Sequence, residues 1–231
     1  MNTKRNLEIT HDSTWTADKS LMMTISEEVL LLILDYDHGC ANYELSPRVV
    51  CGMIAGAILL DLCEQGRIEV DSENLTLVDP GSSGDPVLDR ALSWIGKNGI
   101  RHRVGDWVDS FAEEAEAVQQ ELLDRLVDRG ILVHSVNDRY FVMGSRHFLA
   151  QNGIPFRDVR RRIAGILLNH EMPTARDTMI IHLAAECGLW NDLIDESVMS
   201  VLGPRIENVA RLDLIGRSVA GLVNPGLHAG V

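Results

Sequence analysis

Two side chains in the last quarter of the chain have a spacing that suggests metal binding. His182 and Glu186 are four residues apart, so on a helix they lie one turn apart on the same face and can share a cation. A lone pair of this kind is more often structural, because a zinc site takes about three or four protein ligands. The sequence contains no HExxH motif and no His/Cys set with zinc-ligand spacing. We therefore predict neither a metal site nor a cofactor.

A glycine-rich segment at residues 79–86, DPGSSGDP, resembles a phosphate-binding loop in composition. It lacks the lysine and the hydroxyl residue of a P-loop, so the pattern favours a turn that leads into a helix. In that interpretation Asp85 is the N-cap and Pro86 occupies the first helical position. The sequence has no G-x-S-x-G motif and no evident Cys–His nucleophile pair. We therefore predict that the protein is not an enzyme.

Arg157, Arg160 and Arg161 form the densest basic group in an otherwise acidic chain. The sequence has 34 acidic and 21 basic side chains, which give a formal net charge of −13. Phosphates are attracted by clustered Lys and Arg, so binding of an anionic lipid headgroup requires a local basic surface such as this one. The alternative is a solvated helix face on which these arginines pair with acidic neighbours.

Residues 120–132, QELLDRLVDRGIL, precede a predicted hairpin and resemble the last helix and wing of a winged-helix domain. A recognition helix needs basic and amide side chains for phosphates and base edges, whereas this one is acidic. We therefore predict no nucleic-acid binding, and a protein-interaction module remains the alternative for this segment.

The residues singled out above must be positioned by helices, for which the sequence gives clear signals. Thr24 and Glu27 form a capping box before an apolar helix that should end near residues 35–39. A second helix, with Pro47 in its first turn, contains twelve residues from Val49 to Leu60 without a polar side chain. Such a segment must be surrounded by other helices, so we predict that it lies at the centre of the fold. Further helices are predicted at residues 86–96, 113–129, 156–167, 175–187 and 204–223.

Two β-hairpins complete the prediction. Residues 67–70 and 75–78 should pair across a short turn, and residues 131–143 should form a second hairpin that turns at Asn137 and Asp138. The predicted fold class is mainly α: a single compact helical domain with two surface β-hairpins, built from about eight helices. We predict a flexible N-terminal tail at residues 1–21, the helical domain at residues 22–223 and a C-terminal tail at residues 224–231.

The sequence also bears on the cellular compartment. Its four cysteines show no CxxC spacing and no disulfide-rich pattern, which favours a reducing setting. The first fifteen residues are polar and contain no signal-peptide core, and the longest apolar run is shorter than the roughly 18 residues of a membrane span. We predict a cytoplasmic protein.

Five segments occur in an order and spacing that resemble the Golgi phosphoprotein 3 family, in particular its shorter bacterial members. The segments are TISEEVLLLILD, MIAGAILLDLCEQGRIEV, SGDPVLDRAL, DWVDSF and ELLDRLVDRGIL. The resemblance covers residues 22–223. It implies a compact helical fold and a peripheral membrane adaptor that binds phosphatidylinositol 4-phosphate and holds the cytoplasmic tails of glycosyltransferases. A homo-oligomer is a further expectation.

The resemblance assigns the headgroup pocket of the family to four positions of this chain. The loop aromatic of the family aligns with Ser46, its helix arginine with Ala55, and its two other basic residues with Glu116 and Gln119. A carboxylate in place of a phosphate-binding cation repels the ligand.

Nearby residues offer substitutes for the lost headgroup ligands: Tyr43, Arg48, Arg157, Arg160 and Arg161. Two functions follow: an adaptor that binds an anionic headgroup, protein tails or both, and a soluble protein-interaction module that keeps the fold without phosphoinositide binding.

Overall fold

The computed structural model describes residues 23–35, 40–41, 45–71, 74–97, 101–103, 107, 111, 113–134, 148–150, 154–213, 216 and 219. The fold is mainly α, which confirms the predicted class. In the described ranges the helices are α1 (Ile25–Ile33), α2 (Pro47–Glu64), α3 (Pro86–Lys97), α4 (Ala115–Asp128), α5 (Ile154–Leu168), α6 (Ala175–Glu186), α7 (Leu189–Leu193) and α8 (Glu196–Ala210).

Helices α1 and α2 form the centre of the fold, as the apolar sequence predicts. Every residue of α1 is buried, and α1 packs against α2, α4, α5 and α6. The middle of α2 is buried from Gly52 to Leu62, and α2 packs against α3, α4 and α6 as well as α1. A helix that is apolar on all sides requires this enclosure, because any exposed face would leave apolar surface in water.

The start of α1 is fixed by two devices, and only the first is visible in the local sequence. Thr24 and Glu27 form the predicted capping box. In addition, the carboxylate of Asp61 on α2 accepts hydrogen bonds from the backbone N–H groups of Ile25 and Ser26, at 2.6 and 2.9 Å. These N–H groups have no partner within the helix, so the second helix of the core caps the first.

Short antiparallel strands lie between the helices. They are β1 (Leu34–Asp35), β2 (Cys40–Ala41), β3 (Ile68–Val70), β4 (Asn74–Leu77), β5 (Arg101–Arg103), β6 (Leu132–His134) and β7 (Phe148–Ala150). The predicted first hairpin is confirmed as β3–β4, with Ile68 opposite Leu77. Strand β5 adds a third strand to it, which the sequence analysis did not predict.

Two predictions differ from the structure. The partner of β6 is β7, so Leu132 lies opposite Ala150, whereas the sequence analysis paired it with residues before 144. The predicted turn at Asn137 and Asp138 lies outside the described residues.

The predicted helix start at Pro204 is also wrong, because α8 begins at Glu196 and contains this proline. Proline cannot donate a backbone hydrogen bond, so it normally disrupts a helix. Helix α8 continues through Pro204 because Leu202 and Ile206 pack into the core.

Candidate ligand-binding site

An internal ion-pair network links α1 with α4 and with the start of α3. Glu27 on α1 is buried, with 1% of its side chain exposed, and it forms ion pairs with Arg125 and Arg129 of α4 at 3.0 and 2.6 Å. Arg125 also pairs with Asp85 at the start of α3. This network joins three helices, so these arginines have a structural role.

A second network occupies the inner face of α5. Arg162 binds Asp177 at 2.5 Å and Glu28 at 3.1 Å, and both carboxylates are at least nine-tenths buried. Burial lowers the pKa of Arg162, but the hydrogen bonds and charges of the two carboxylates outweigh it and raise that pKa. Burial raises the pKa of Glu28, against the opposing effect of Arg162.

The predicted basic group on α5 is divided between two faces of the helix. Arg160 donates hydrogen bonds to the backbone carbonyls of Leu32 and Leu34, where α1 ends. Arg161 is exposed, because successive residues on a helix point about 100° apart. The side chain of Arg157 lies outside the described part of the chain. The structure therefore does not bring Arg160 and Arg161 together on one surface.

The first turn of α2 contains the other candidate cation. Arg48 is exposed there, and Ser46 caps the helix through its hydroxyl, which accepts a hydrogen bond from Val49 N at 3.2 Å. The backbone N–H of Ser46 faces the carboxylate of Asp192 at 3.4 Å. An acidic side chain at this helix end competes with any bound anion. Tyr43 lies outside the described residues.

The remaining headgroup positions carry no cation. Ala55 is completely buried in the middle of α2 and is closed to ligands. Glu116 is exposed on α4, and Gln119 is half-buried on the same helix. A phosphate near Glu116 would meet its carboxylate, which repels an anion.

An aromatic cleft between α2, α3 and α4 is the feature that the sequence analysis missed. Trp107 lies against Trp94 in an edge-on contact with 5.2 Å between ring centroids, and against Phe111 with 5.5 Å. The aliphatic walls are Ile58, Val87, Ala91 and Val118, and the rim carries Arg90 and Glu114. Its walls are almost completely buried, from 1% exposure at Ile58 to 5% at Ala91, so the cleft is a narrow opening between packed side chains.

The cleft lies near two of the positions that the resemblance assigns to the headgroup pocket, Ala55 and Gln119. Ile58 follows Ala55 by three residues on α2, so the two share a helix face, and Val118 immediately precedes Gln119 on α4. A sequence signal existed: Trp94, Trp107 and Phe111 fall within 18 residues of a chain with only four Trp and four Phe. Their convergence is a tertiary property, because Trp94 belongs to α3 and the other two follow β5.

His182 and Glu186 belong to a buried hydrogen-bonded group. His182 Nδ1 lies 3.0 Å from Asp213 Oδ2, and Nε2 lies 3.7 Å from Glu186 Oε1. Asp213 also accepts a hydrogen bond from Gly216 N at 2.7 Å. Burial lowers the pKa of His182, but its carboxylate partners outweigh burial and raise the pKa to about 9. Within the described ranges, no group of three or more His, Cys, Asp or Glu side chains could hold a metal ion.

Comparison with protein families shows which family the sequence matches. The family model described as Golgi phosphoprotein 3 (GPP34) matches residues 25–224, which include every helix and strand named above. Among the helices of the described chain, none is both long and apolar enough to cross a membrane.

Proposed function

Because the chain belongs to the Golgi phosphoprotein 3 family, we propose that it is a non-enzymatic adaptor that binds the cytoplasmic tails of membrane proteins through protein contacts. In this proposal residues 22–223 act as one helical domain on the cytoplasmic side of a membrane. Recruitment to that membrane comes from the bound tail and does not require a phosphoinositide.

The distribution of charge is the observation that carries this proposal. The described positions assigned to the headgroup pocket are an exposed serine, a buried alanine, an exposed glutamate and a half-buried glutamine. Arg160 and Arg162 are bound to groups of the protein itself. With a net charge of −13, the remaining surface favours a basic partner over an anionic one.

Tail binding is tested with a panel of synthetic peptides that reproduce the cytoplasmic tails of membrane proteins, glycosyltransferases included, from the organism that encodes this chain. Each peptide is immobilised, and binding of the full chain is measured by biolayer interferometry. We expect saturable binding to a subset of tails, in the absence of lipid. The proposal is wrong if no tail binds at low ionic strength.

An anionic headgroup is the second candidate ligand, and the exposure of Arg48 and Arg161 favours it. Tyr43, Arg157 and Arg160 complete the proposed headgroup residues. Vesicles of phosphatidylcholine with and without phosphatidylinositol 4-phosphate test this in a co-sedimentation assay at low salt. If recruitment depends on a bound tail, the chain should sediment weakly, and to the same extent, with both kinds of vesicle.

Phosphoinositide-dependent sedimentation would support the second candidate if Arg48→Glu and Arg161→Glu together abolish it. Arg211→Glu is the matched control, because Arg211 is 73% exposed at the end of α8. If Arg211→Glu also abolishes sedimentation with these vesicles, the effect is a nonspecific one of net charge.

A further inference from the structure

An exposed apolar patch lies where the end of α5 approaches α8. Two of its side chains belong to the end of α5 and the loop that follows, and two belong to α8: Leu168, Met172, Val198 and Val201. These residues are 59%, 87%, 45% and 73% exposed, respectively. Apolar side chains that are exposed singly are ordinary, but several that lie together mark a contact surface.

The hydrogen bonds of Arg205 bring the two sides of the apolar patch together. From α8, its guanidinium donates to the backbone carbonyls of Ile166 and Glu171, each at 3.1 Å. The patch residues of the α5 side follow these carbonyls by one or two positions. Val201 precedes Arg205 by four residues, so it lies one turn away on the same face of α8. The four side chains therefore form one surface.

The N-terminal segment, residues 1–22, joins the described chain close to this surface. The carbonyl of Met23 accepts a hydrogen bond from Nη1 of Arg176 at 2.7 Å. Arg176 follows Met172 by four residues, so their Cα atoms are at most about 14 Å apart. The eight residues from Trp15 to Met23 span up to about 27 Å when extended, which lets Trp15 reach the apolar patch.

The composition of the N-terminal segment suits an apolar surface on an acidic protein. The segment contains three basic and three acidic side chains, so the net charge of −13 belongs to the rest of the chain. A segment without net charge is not repelled by that charge. Its large apolar side chains include Leu7, Ile9, Trp15 and Leu21. Trp15 is the largest of these, and aromatic rings make favourable contacts with methionine sulfur.

We propose that the N-terminal segment folds back over the apolar patch, with the indole ring of Trp15 packed against Met172 and Val201. The tether at Met23 favours this occupant, because it keeps the segment at an effective concentration on the order of millimolar. The interaction is independent of the proposed tail binding, so its failure would leave the proposed function unchanged.

Trypsin cleavage after Lys19 of the full chain tests the docking. A docked segment must leave the apolar patch before the protease can bind it, so the cleavage rate reports how often it leaves. Val201→Glu places a charge in the patch and should accelerate this cleavage about tenfold, as measured by mass spectrometry. Val78→Glu is the matched control, because Val78 is 51% exposed beside the β3–β4 hairpin, and it should cleave at the wild-type rate.

A double-mutant cycle tests whether Trp15 is the residue that contacts the patch. Trp15→Ser should accelerate cleavage as much as Val201→Glu, and the double variant should show no further increase, because both substitutions remove the same contact. Multiplicative effects of the two substitutions would contradict that contact. Circular dichroism establishes that each variant is folded, and Val201→Ala, with an expected effect of about threefold, replaces Val201→Glu if that variant is not.

A photo-crosslinker in the patch identifies the occupant directly. Met172→p-benzoylphenylalanine is irradiated at low micromolar concentration, and the crosslinked peptides are identified by mass spectrometry. We expect crosslinks to residues 7–22 of the same chain. Crosslinks between two chains would make a second copy the occupant, and crosslinks to residues 220–231 would make it the C-terminal segment; either result overturns the proposal. Equal cleavage rates after Lys19 in wild type and Val201→Glu would overturn it as well.

Discussion

At the scale of single residues, buried charge decides how the protein uses its arginines. Glu27 is nearly fully buried and forms ion pairs with Arg125 and Arg129, whose side chains are each 24% exposed. Arg125 also pairs with Asp85, so loss of Glu27 removes charge-assisted hydrogen bonds from the network but leaves Arg125 a second carboxylate.

Replacement of Glu27 by Ala should therefore destabilise the protein by about 1–3 kcal/mol, because it removes charge-assisted hydrogen bonds and one half of the capping box of α1. The free energy of unfolding is measured by urea denaturation of each purified chain. Glu207→Ala is the control, because the Glu207–Arg211 pair is exposed and its loss should change stability by less than about 0.5 kcal/mol. Equal effects of the two substitutions would contradict a structural role for the Glu27 network.

His182 should make stability depend on pH in the alkaline range. Its pKa rises on folding from an ordinary value near 6.5 to about 9, so the folded state binds the proton more tightly than the unfolded state. The stabilisation is fully present below about pH 6.5 and is lost as the pH rises through about 9. The charged groups facing the ring are Glu186 on its own helix and Asp213.

Urea denaturation between pH 6 and pH 9.5 measures this dependence as the difference between wild type and His182→Gln. The difference should decrease steadily as the pH rises. A difference that is constant across the range would show that folding does not raise the pKa of His182.

At the scale of helices and strands, the contact between α1 and α2 depends on the Asp61 carboxylate. Asp61→Ala leaves two buried backbone N–H groups without acceptors, so we expect a loss of about 2–4 kcal/mol. Asp61→Asn keeps one acceptor oxygen and should cost less. Both free energies come from urea denaturation, and an equal loss in the two variants would contradict the capping role.

Burial also raises the pKa of Asp61 to about 6, against the opposing hydrogen bonds from Ser26 and Ile25. A carboxyl group whose pKa is raised on folding contributes stability below its unfolded value, near 3.8, and loses it as the pH rises through about 6. This dependence should be absent from Asp61→Asn, which cannot ionise. A comparison of the two chains between pH 4 and pH 7 measures it.

At the scale of the whole molecule, a net charge of −13 should control the rate at which a basic partner arrives. Long-range attraction accelerates association and is screened by salt over about 10 Å at 0.1 M ionic strength. We expect the association rate of a membrane-protein tail peptide that binds the chain to fall about tenfold between 0.02 and 0.3 M NaCl, with a much smaller change in the dissociation rate. Stopped-flow anisotropy measures both, and a salt effect confined to dissociation would contradict electrostatic steering.

The sequence alone determined the elements whose signals are local. The capping box at Thr24, the apolar run of α2, the β3–β4 hairpin and the start of α3 at Pro86 are all where the sequence predicts them. These features depend on residues within a turn or two of each other, so hydrophobic period and cap chemistry suffice to find them. The five segments that resemble the Golgi phosphoprotein 3 family are likewise visible in the sequence alone. The match of the family model confirms the family membership that they predict.

Only the tertiary structure decided how charged and aromatic side chains are used. Arg160 and Arg161 are neighbours in sequence, yet one binds carbonyls of α1 and the other is exposed, because the helix turns them to different surroundings. Trp94 meets Trp107, and Asp61 caps a helix 36 residues earlier, through contacts that no local pattern encodes. Burial and long-range packing set these roles, and they follow from how the helices assemble around α1 and α2.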